Sequence, residues 1–307
     1  MTAAAVLAQA VLLGGLAPVL PGVVTRTKSW WAGRRGAPVL QPAYDLVKLM
    51  RKRAVYSATT TALFRVAPWT VLGATVVASL VVPLAGPALV SFPGDVVFFA
   101  YAWGLARAAM MLGALDTGSP FEGMAASREA TFSTLLEPAL FLLAGGVGLV
   151  GDVDTLGAMV QVRGHDATGW LVWALSVVTL TVLVQVEAAR LPVDDPTTHL
   201  ELTMVHEGMI LDHSGPDLAA LQYAAGLKLA TGLALLAALF VPVGLPPWAA
   251  GLATAAGCLA LAVGLGTVES LTARLRMRAV PAYVLVALFA AGAAVLASAW
   301  HGNGGAL

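Results

Sequence analysis

The sequence predicts an all-α integral membrane protein, a bundle of about eight transmembrane helices joined by cytoplasmic amphipathic helices. Three observations predict it. Of 307 residues, 59% are hydrophobic and only 11% are charged, against roughly a quarter charged in a soluble domain. Eight apolar runs reach the ~20 residues needed to cross about 30 Å of hydrocarbon; they lie at about 3–24, 64–84, 94–115, 131–150, 169–186, 218–243, 247–268 and 280–299. The basic residues between these runs are distributed unequally on the two sides. A β-barrel would alternate apolar and polar positions in ~10-residue strands, and this chain does not. Residues 1–307 read as one polytopic membrane domain, with long cytoplasmic connections at 25–63 and 187–217.

The first run is no cleaved leader by its pattern: it lacks a basic start and its apolar stretch is too long. It is expected to end at Pro21-Gly22. The connection that follows carries Arg26, Lys28, Arg34, Arg35, Lys48, Arg51, Lys52 and Arg53. Arg128, Arg190 and the trio Arg274, Arg276 and Arg278 fall on the same side if eight helices cross, and only Arg163 falls opposite. Seven crossings would spoil that asymmetry. The positive-inside rule then places the basic loops in the cytoplasm and both termini outside. Trp30 and Trp31 suit the interface. From Pro42 a short amphipathic helix is expected, with Leu46, Leu49 and Met50 on one side and Lys48, Arg51 and Lys52 on the other. Such a helix either floats at the interface with its basic side chains snorkelling or docks a partner.

Three charges interrupt the apolar runs away from their ends: Arg107 in the third, Glu137 before Pro138 in the fourth, and Lys228 near the middle of the sixth. Ionisable groups in lipid are costly and are kept for function or for each other. The segment Asp116–Arg128 reads as a turn-rich loop. Asp152, Asp154 and Asp166 on the outer side need only solvation. The single cysteine, Cys258, sits in an apolar run and reads as a small buried hydrophobe. One thiol forms no internal disulfide and holds no iron–sulfur cluster.

The stretch from Glu187 to Gly215, EAARLPVDDPTTHLELTMVHEGMILDHSG, is an acidic island. Together with Asp217 it holds seven of the seventeen carboxylates: Glu187, Asp194, Asp195, Glu201, Glu207, Asp212 and Asp217. Glu187 and Arg190 are three apart and would pair on a continued helix. Pro192 and Pro196 break that helix. Asp195-Pro196 opens a new one, with Leu202, Val205 and Met209 on one face. Carboxylates crowded at a membrane boundary have pKa values raised by desolvation and mutual repulsion, which suits proton transfer. His206-Glu207 does not extend to a zinc-protease HExxH, because position 210 is Ile210. His199, His206 and His213 recur every seven residues, but the expectation is no metal site. No P-loop, dinucleotide glycine motif or nucleophile elbow is present, and nothing points to nucleic acid.

Four blocks resemble a known family. They are Gln41-Pro42 with Asp45, Lys48 and Leu49; SPFEGMAASRE from Ser119 to Glu129; Arg128 with Glu137 nine residues on; and Glu187-x-x-Arg190-x-Pro192-x-Asp194-x-Pro196, followed by Glu201-Leu202 and Ser214-Gly215. They resemble the membrane subunit that joins the peripheral arm to the membrane arm of respiratory complex I, and its relatives in energy-converting nickel–iron hydrogenases such as formate hydrogenlyase. Thr197 and His199 stand where complex I shows glutamates, and Asp212-His213 where it shows Glu-Tyr. These departures favour the hydrogenase branch and speak against a quinone chamber.

The resemblance implies a non-catalytic anchor and ion-coupling subunit in a bacterial or archaeal cytoplasmic membrane. Glu137, Glu187, Glu201 and Glu207 would form the start of a proton path. Arg190 would hold Glu187, Asp194 and Asp195 would shape the loop, and Arg107 and Lys228 would continue the path. Arg34, Arg35, Gln41, Asp45, Lys48 and Arg128 would dock the soluble arm. The expected partners are hydrogenase-like large and small subunits, an iron–sulfur protein and antiporter-like membrane subunits. The [NiFe] centre and iron–sulfur clusters would belong to those partners, with no cofactor on this chain. The alternatives are a quinone-site subunit of NADH dehydrogenase complex I and, from another class, a stand-alone ion transporter.

Overall fold

The computed structural model describes residues 3–84, 88–162, 167–194 and 204–304. Among them every regular element is helical: α1 (Ala3–Trp31), α2 (Gln41–Met50), α3 (Ala62–Leu80), α4 (Asp95–Asp116), α5 (Pro120–Gly151), α6 (Leu156–Met159), α7 (Ala167–Glu187), α8 (His206–Met209), α9 (Gly215–Ala238), α10 (Pro247–Leu271) and α11 (Val280–Gly304), with a 3₁₀ turn at Met277–Ala279. Seven helices are long and apolar enough to span a membrane, namely α3, α4, α5, α7, α9, α10 and the stretch Met277–Trp300. α1, with 29 residues, adds an eighth long helix. The protein is a multi-pass membrane protein.

α9 is the centre. Its side chains are buried on nearly every face, and it packs against α1, α2, α3, α7 and α10. α11 lies along α5 and α7. The connections gather at two ends. At one end Val55 N–H donates to Ser214 Oγ, Tyr56 Oη to Asp217, and Thr61 N–H to Asp116. Asp212 N–H donates to Glu122, and Leu275 N–H to Pro192 O. The acidic island and the basic loops therefore share this end. At the other, Gly94 N–H donates to Asp154 O and Leu156 N–H to Asp95. Gly215 opens α9 at φ +55°, where an added Cβ would lie 2.7 Å from the Arg53 backbone; only glycine meets both demands.

Three expectations are corrected. α1 does not stop at Pro21-Gly22 but runs to Trp31, with both prolines inside it. Proline frees the carbonyl four residues earlier; Tyr223 Oη donates to the Gly14 carbonyl that Pro18 frees, at 3.1 Å. Such side-chain repair lets membrane helices carry proline. The expected loop Asp116–Arg128 shrinks to Thr117–Ser119, because Pro120 sits in the first turn of α5, where a missing N–H costs nothing. Asp217, counted with the acidic island, is buried and satisfied by Tyr56 and Trp69. The amphipathic α2 forms as expected, with Tyr44, Val47 and Met50 exposed.

Candidate functional site

α7 ends at Glu187. The turn after it is a Schellman closure: Ala189 N–H donates to Val186 O, and Arg190 N–H to Gln185 O at 2.8 Å. Ala189 occupies the left-handed region at φ +49°, the position usually given to glycine. This reversal takes Arg190 off the face of Glu187. The expected pairing of Arg190 with Glu187 is therefore wrong in geometry. Arg190 lies instead 3.8 Å from Glu269 on α10.

Glu187 faces inward and meets two cations. Lys228 Nζ on α9 donates to one carboxylate oxygen at 2.7 Å, and Arg107 on α4 donates to the other. Arg107 also contacts Glu137 at 3.3 Å and Glu129 at 3.6 Å, both on α5. Four helices thus bring three carboxylates and two cations together. Arg107 and Lys228 sit in the middle parts of α4 and α9. Arg107 lies about 13 Å from the α4 end at Asp116, from nine residues at 1.5 Å each. The side chains of Glu187 and Arg107 are only 4% and 5% exposed. Lys228 lies 5.6 Å from the centroid of the Trp103 ring, a cation–π contact. The formal charges are three negative against two positive, so one added proton makes the cluster neutral.

A second group lies toward the loop end. Glu269, buried to 1%, pairs with Lys28 of α1 at 3.0 Å and with Arg190. Asp194 accepts the backbone N–H groups of Val205 and His206 at 3.1 Å each, and so holds α8. Asp45, Arg190, Asp194, His206 and Glu207 share a cavity of about 230 Å³ with the prolines of α1 and α2. Burial, then the Asp194 carboxylate, push the Glu207 pKa up, against the opposing pull of Arg190. Burial, then Lys228 and Arg190, push His206 down to about 4. His213 is also pushed down to about 4 by burial, and its ring stacks on Phe64 at 3.9 Å.

The structure thus joins Arg107, Glu137, Glu187 and Lys228 in one cluster and Arg190, Asp194 and Glu207 around the cavity. Asp195 and Glu201 lie outside the described residues, as do His199, Arg163 and Asp166. Among the described residues no three His, Cys, Asp or Glu side chains converge as metal ligands. Arg34, Arg35 and Lys48 are exposed, and Gln41 donates to Asp45 at 2.9 Å within α2. Arg128, half-buried, contacts Met124. Sequence reasoning missed Glu129, Glu269 and Lys28 as site residues. Glu129 is eight residues before Glu137, just over two full turns and so on the same side of α5. Glu269 follows directly on the run 247–268 and is the one acid in α10. Those two signals were there to read.

The family described as NADH dehydrogenase matches residues 3–299. Hydrogenase-4 component C of Escherichia coli (strain K12) is 31% identical over 244 residues, covering 78% of this chain and 75% of that protein. Formate hydrogenlyase subunit 4 of the same organism is 29% identical over 291 residues, covering 90% and 92%. A chain in the structure of the membrane-bound sulfane sulfur reductase, an archaeal respiratory membrane complex, superposes with a TM-score of 0.77 at 17% identity, covering 96% of this chain and 98% of that one; at that identity the likeness speaks for the fold. By the extent of these matches, the chain belongs to the NADH dehydrogenase family of membrane subunits.

Proposed function

We propose that this chain is the membrane-anchor and ion-coupling subunit of a complex-I-like oxidoreductase of the membrane-bound hydrogenase or formate hydrogenlyase type. One observation carries the coupling part: the buried cluster of Arg107, Glu129, Glu137, Glu187 and Lys228, one proton short of neutrality, lies above a cavity edged by Glu207, Asp194 and His206. Two relatives, a hydrogenase component and a formate hydrogenlyase subunit by name, support a role inside an assembly rather than as a stand-alone transporter. Their hydrogenase names also favour the hydrogenase type over a quinone-reducing one.

The chemistry follows from electrostatics. An electron arriving on a carrier in the soluble arm adds a negative charge below the loop end. At an effective dielectric of about 20 and a separation of ~15 Å, that charge is worth about 1 kcal/mol. This favours proton uptake by the acids that face it. Glu207 at the cavity receives the proton and passes it toward the cluster, whose one formal negative charge in excess favours its uptake there. The [NiFe] centre and clusters belong to partner subunits in this reading: large and small hydrogenase-like chains, an iron–sulfur protein, and antiporter-like membrane chains beside this one. Arg34, Arg35 and Lys48 dock the soluble arm. The loop end faces the cytoplasm of a bacterial or archaeal cell, with both termini outside.

The test uses the assembled complex in vesicles, with Glu187→Gln and Glu207→Gln introduced separately. Hydrogen turnover and proton movement are measured in the same sample. The expected result is assembly with electron transfer retained and proton movement per electron reduced. Unchanged ratios in both variants would defeat the coupling role and leave only an anchor.

A further inference from the structure

Gln9 is the one polar side chain in α1 between Ala3 and Pro21, and it is only 1% exposed. Its Nε2 donates to the Val82 carbonyl at 2.9 Å, which ties α1 to the connection after α3, at the end of the bundle away from the acidic island. With the nitrogen held there, Oε1 is buried and has no hydrogen-bond partner among the described residues. Gln9 lines a cavity of about 120 Å³ between α1, α3 and α9, together with Leu13, Gly14, Ser79, Tyr223 and Leu227. Ser79 and Tyr223 already donate their hydroxyl hydrogens, to Val76 O and Gly14 O. Three oxygens with lone pairs to fill therefore border this space, and a water needs only roughly 10–15 Å³ of it. Apolar cavities stay dry, but water enters where buried polar groups lack partners. A lipid chain has no donor and would leave Gln9 Oε1 bare.

We propose that this cavity is a water site, in which ordered waters donate to Gln9 Oε1, Ser79 Oγ and Tyr223 Oη, and that the Tyr223 ring plugs it off from the cavity that holds Glu207. The two spaces are close neighbours. On α1 Gly14 lines one and Ala17 the other, about 4.5 Å apart along the helix, from three residues at 1.5 Å each. On α9 Tyr223 lines one and Gln222 the other. Between them runs the seam where Tyr223 donates to the Gly14 carbonyl and Gly226 packs on the Ala17 carbonyl. Pro18 and Pro21 free both carbonyls from the helix. If the two bodies of water met, they would form a continuous wire from the acidic loop end toward the far end, and hydrogen-bonded water conducts protons without a titrating side chain. The Tyr223 ring breaks that wire and keeps a proton gradient from discharging along the α1–α9 seam. This goes beyond the coupling role of the Glu187 cluster and does not depend on it.

The test uses the assembled complex at rest, in vesicles of phosphatidylethanolamine and phosphatidylglycerol. Brief X-ray radiolysis turns bound water into hydroxyl radicals, which oxidise the side chains that touch it, and mass spectrometry reads the products. Leu13 and Leu229 are both buried, at 4% and 1% exposure, but only Leu13 lines the cavity. Leu13 is expected to be oxidised several-fold faster than Leu229. Gln9→Leu removes the unpartnered oxygen and should bring Leu13 down to the Leu229 rate; Ser79→Ala, which keeps the tie to Val82, should lower it in part. Equal rates in the parent mean a dry cavity and overturn the proposal, as does a Leu13 rate that neither variant changes. The plug is tested by a pH step outside the vesicles, with entrapped pyranine reporting the pH inside. Tyr223→Ala should raise proton entry several-fold, adding Gln9→Leu should reverse most of that rise, and Tyr223→Phe, which keeps the ring, should stay tight. Tyr223→Val carries the same test if Tyr223→Ala lowers assembly. Tight vesicles with the truncated variants, at the parent subunit ratio, or an equal leak in Tyr223→Phe, overturn the plug. No turnover is involved, so failure here leaves the coupling test at Glu187 and Glu207 untouched.

Discussion

Lys228 Nζ lies 2.7 Å from Glu187, across 41 residues of sequence, and this pair carries the balance of the whole buried cluster. Removing Lys228 leaves Arg107 alone against three carboxylates. Loss of one partner from a buried pair costs on the order of 3–5 kcal/mol. Lys228→Met is therefore expected to lower the amount of assembled complex sharply. Adding Glu187→Gln returns the excess from two negative charges to one. The double variant should recover stability relative to Lys228→Met alone, a coupling that thermal melts of the four members of the cycle would measure. Additive losses would show that the two side chains do not act as a pair.

Glu269 is the anchor of the loop that follows α7. It receives Lys28 from α1 and Arg190 from that loop. Glu269→Gln leaves two cations without their countercharge. The cost at Lys28 is reduced because that side chain is about a quarter exposed. Arg190 is half-buried and its Nε has no hydrogen-bond partner, so the loop should loosen there. Trypsin cleaves after arginine, which gives a direct readout. The variant is expected to be cut at Arg190 several-fold faster than the parent in detergent, while cutting at Arg35 stays the same. Equal rates at Arg190 would mean that the Leu275–Pro192 backbone contact holds the loop without the ion pair.

Much of this was legible in the sequence, and the failures have physical causes. Apolar runs set the long helices because hydrocarbon thickness demands their length. The ends were less legible: prolines read as stops at Pro21 and Asp116–Arg128, whereas a membrane helix tolerates proline when a neighbour repairs the freed carbonyl or when it starts the first turn. Arg107, Glu137 and Lys228 stood out as isolated charges, and the structure brings all three together. The error at Arg190 came from extending α7 past its end. An alanine at φ +49° closes that helix, and alanine gives no warning of it. Pairings such as Lys28 with Glu269 join distant helices, and no local pattern encodes them.

His213 supplies a pH test outside the spanning helices. It is buried to 5% exposure, its Nδ1 has no partner, and its ring stacks on Phe64. Its folded pKa of about 4 lies below the 6.5 of a free histidine. The unfolded chain therefore takes the proton first. Stability is unaffected above about pH 6.5 and falls as pH drops toward 4, by at most about 1.4 kcal/mol per pH unit for this group. His213→Phe preserves the stack and removes the titration. The melting temperature of the variant should fall less than that of the parent between pH 7 and pH 5. Parallel curves would mean that His213 takes no part in the acid sensitivity.

Gly226 tests how α1 is held against the central helix. A Cβ there would come within 2.3 Å of the Ala17 carbonyl oxygen, backbone that cannot swing aside. Three residues earlier on α9, Tyr223 donates to the Gly14 carbonyl. The two contacts together seat the proline-containing part of α1 and one wall of the cavity that holds Glu207. Tyr223→Phe removes one hydrogen bond, worth about 1 kcal/mol, and should leave assembly intact. Gly226→Val must push α1 away and should cost more, in the 1–3 kcal/mol range of overpacked cores. It should also alter access to the cavity. A cysteine placed at Glu207 reports this, because the native Cys258 is buried. Its labelling rate by a small maleimide should change several-fold in the Gly226→Val background and little in the Tyr223→Phe background. Equal effects of the two substitutions on stability and labelling would mean that α1 is positioned by its contacts with α10 rather than by α9.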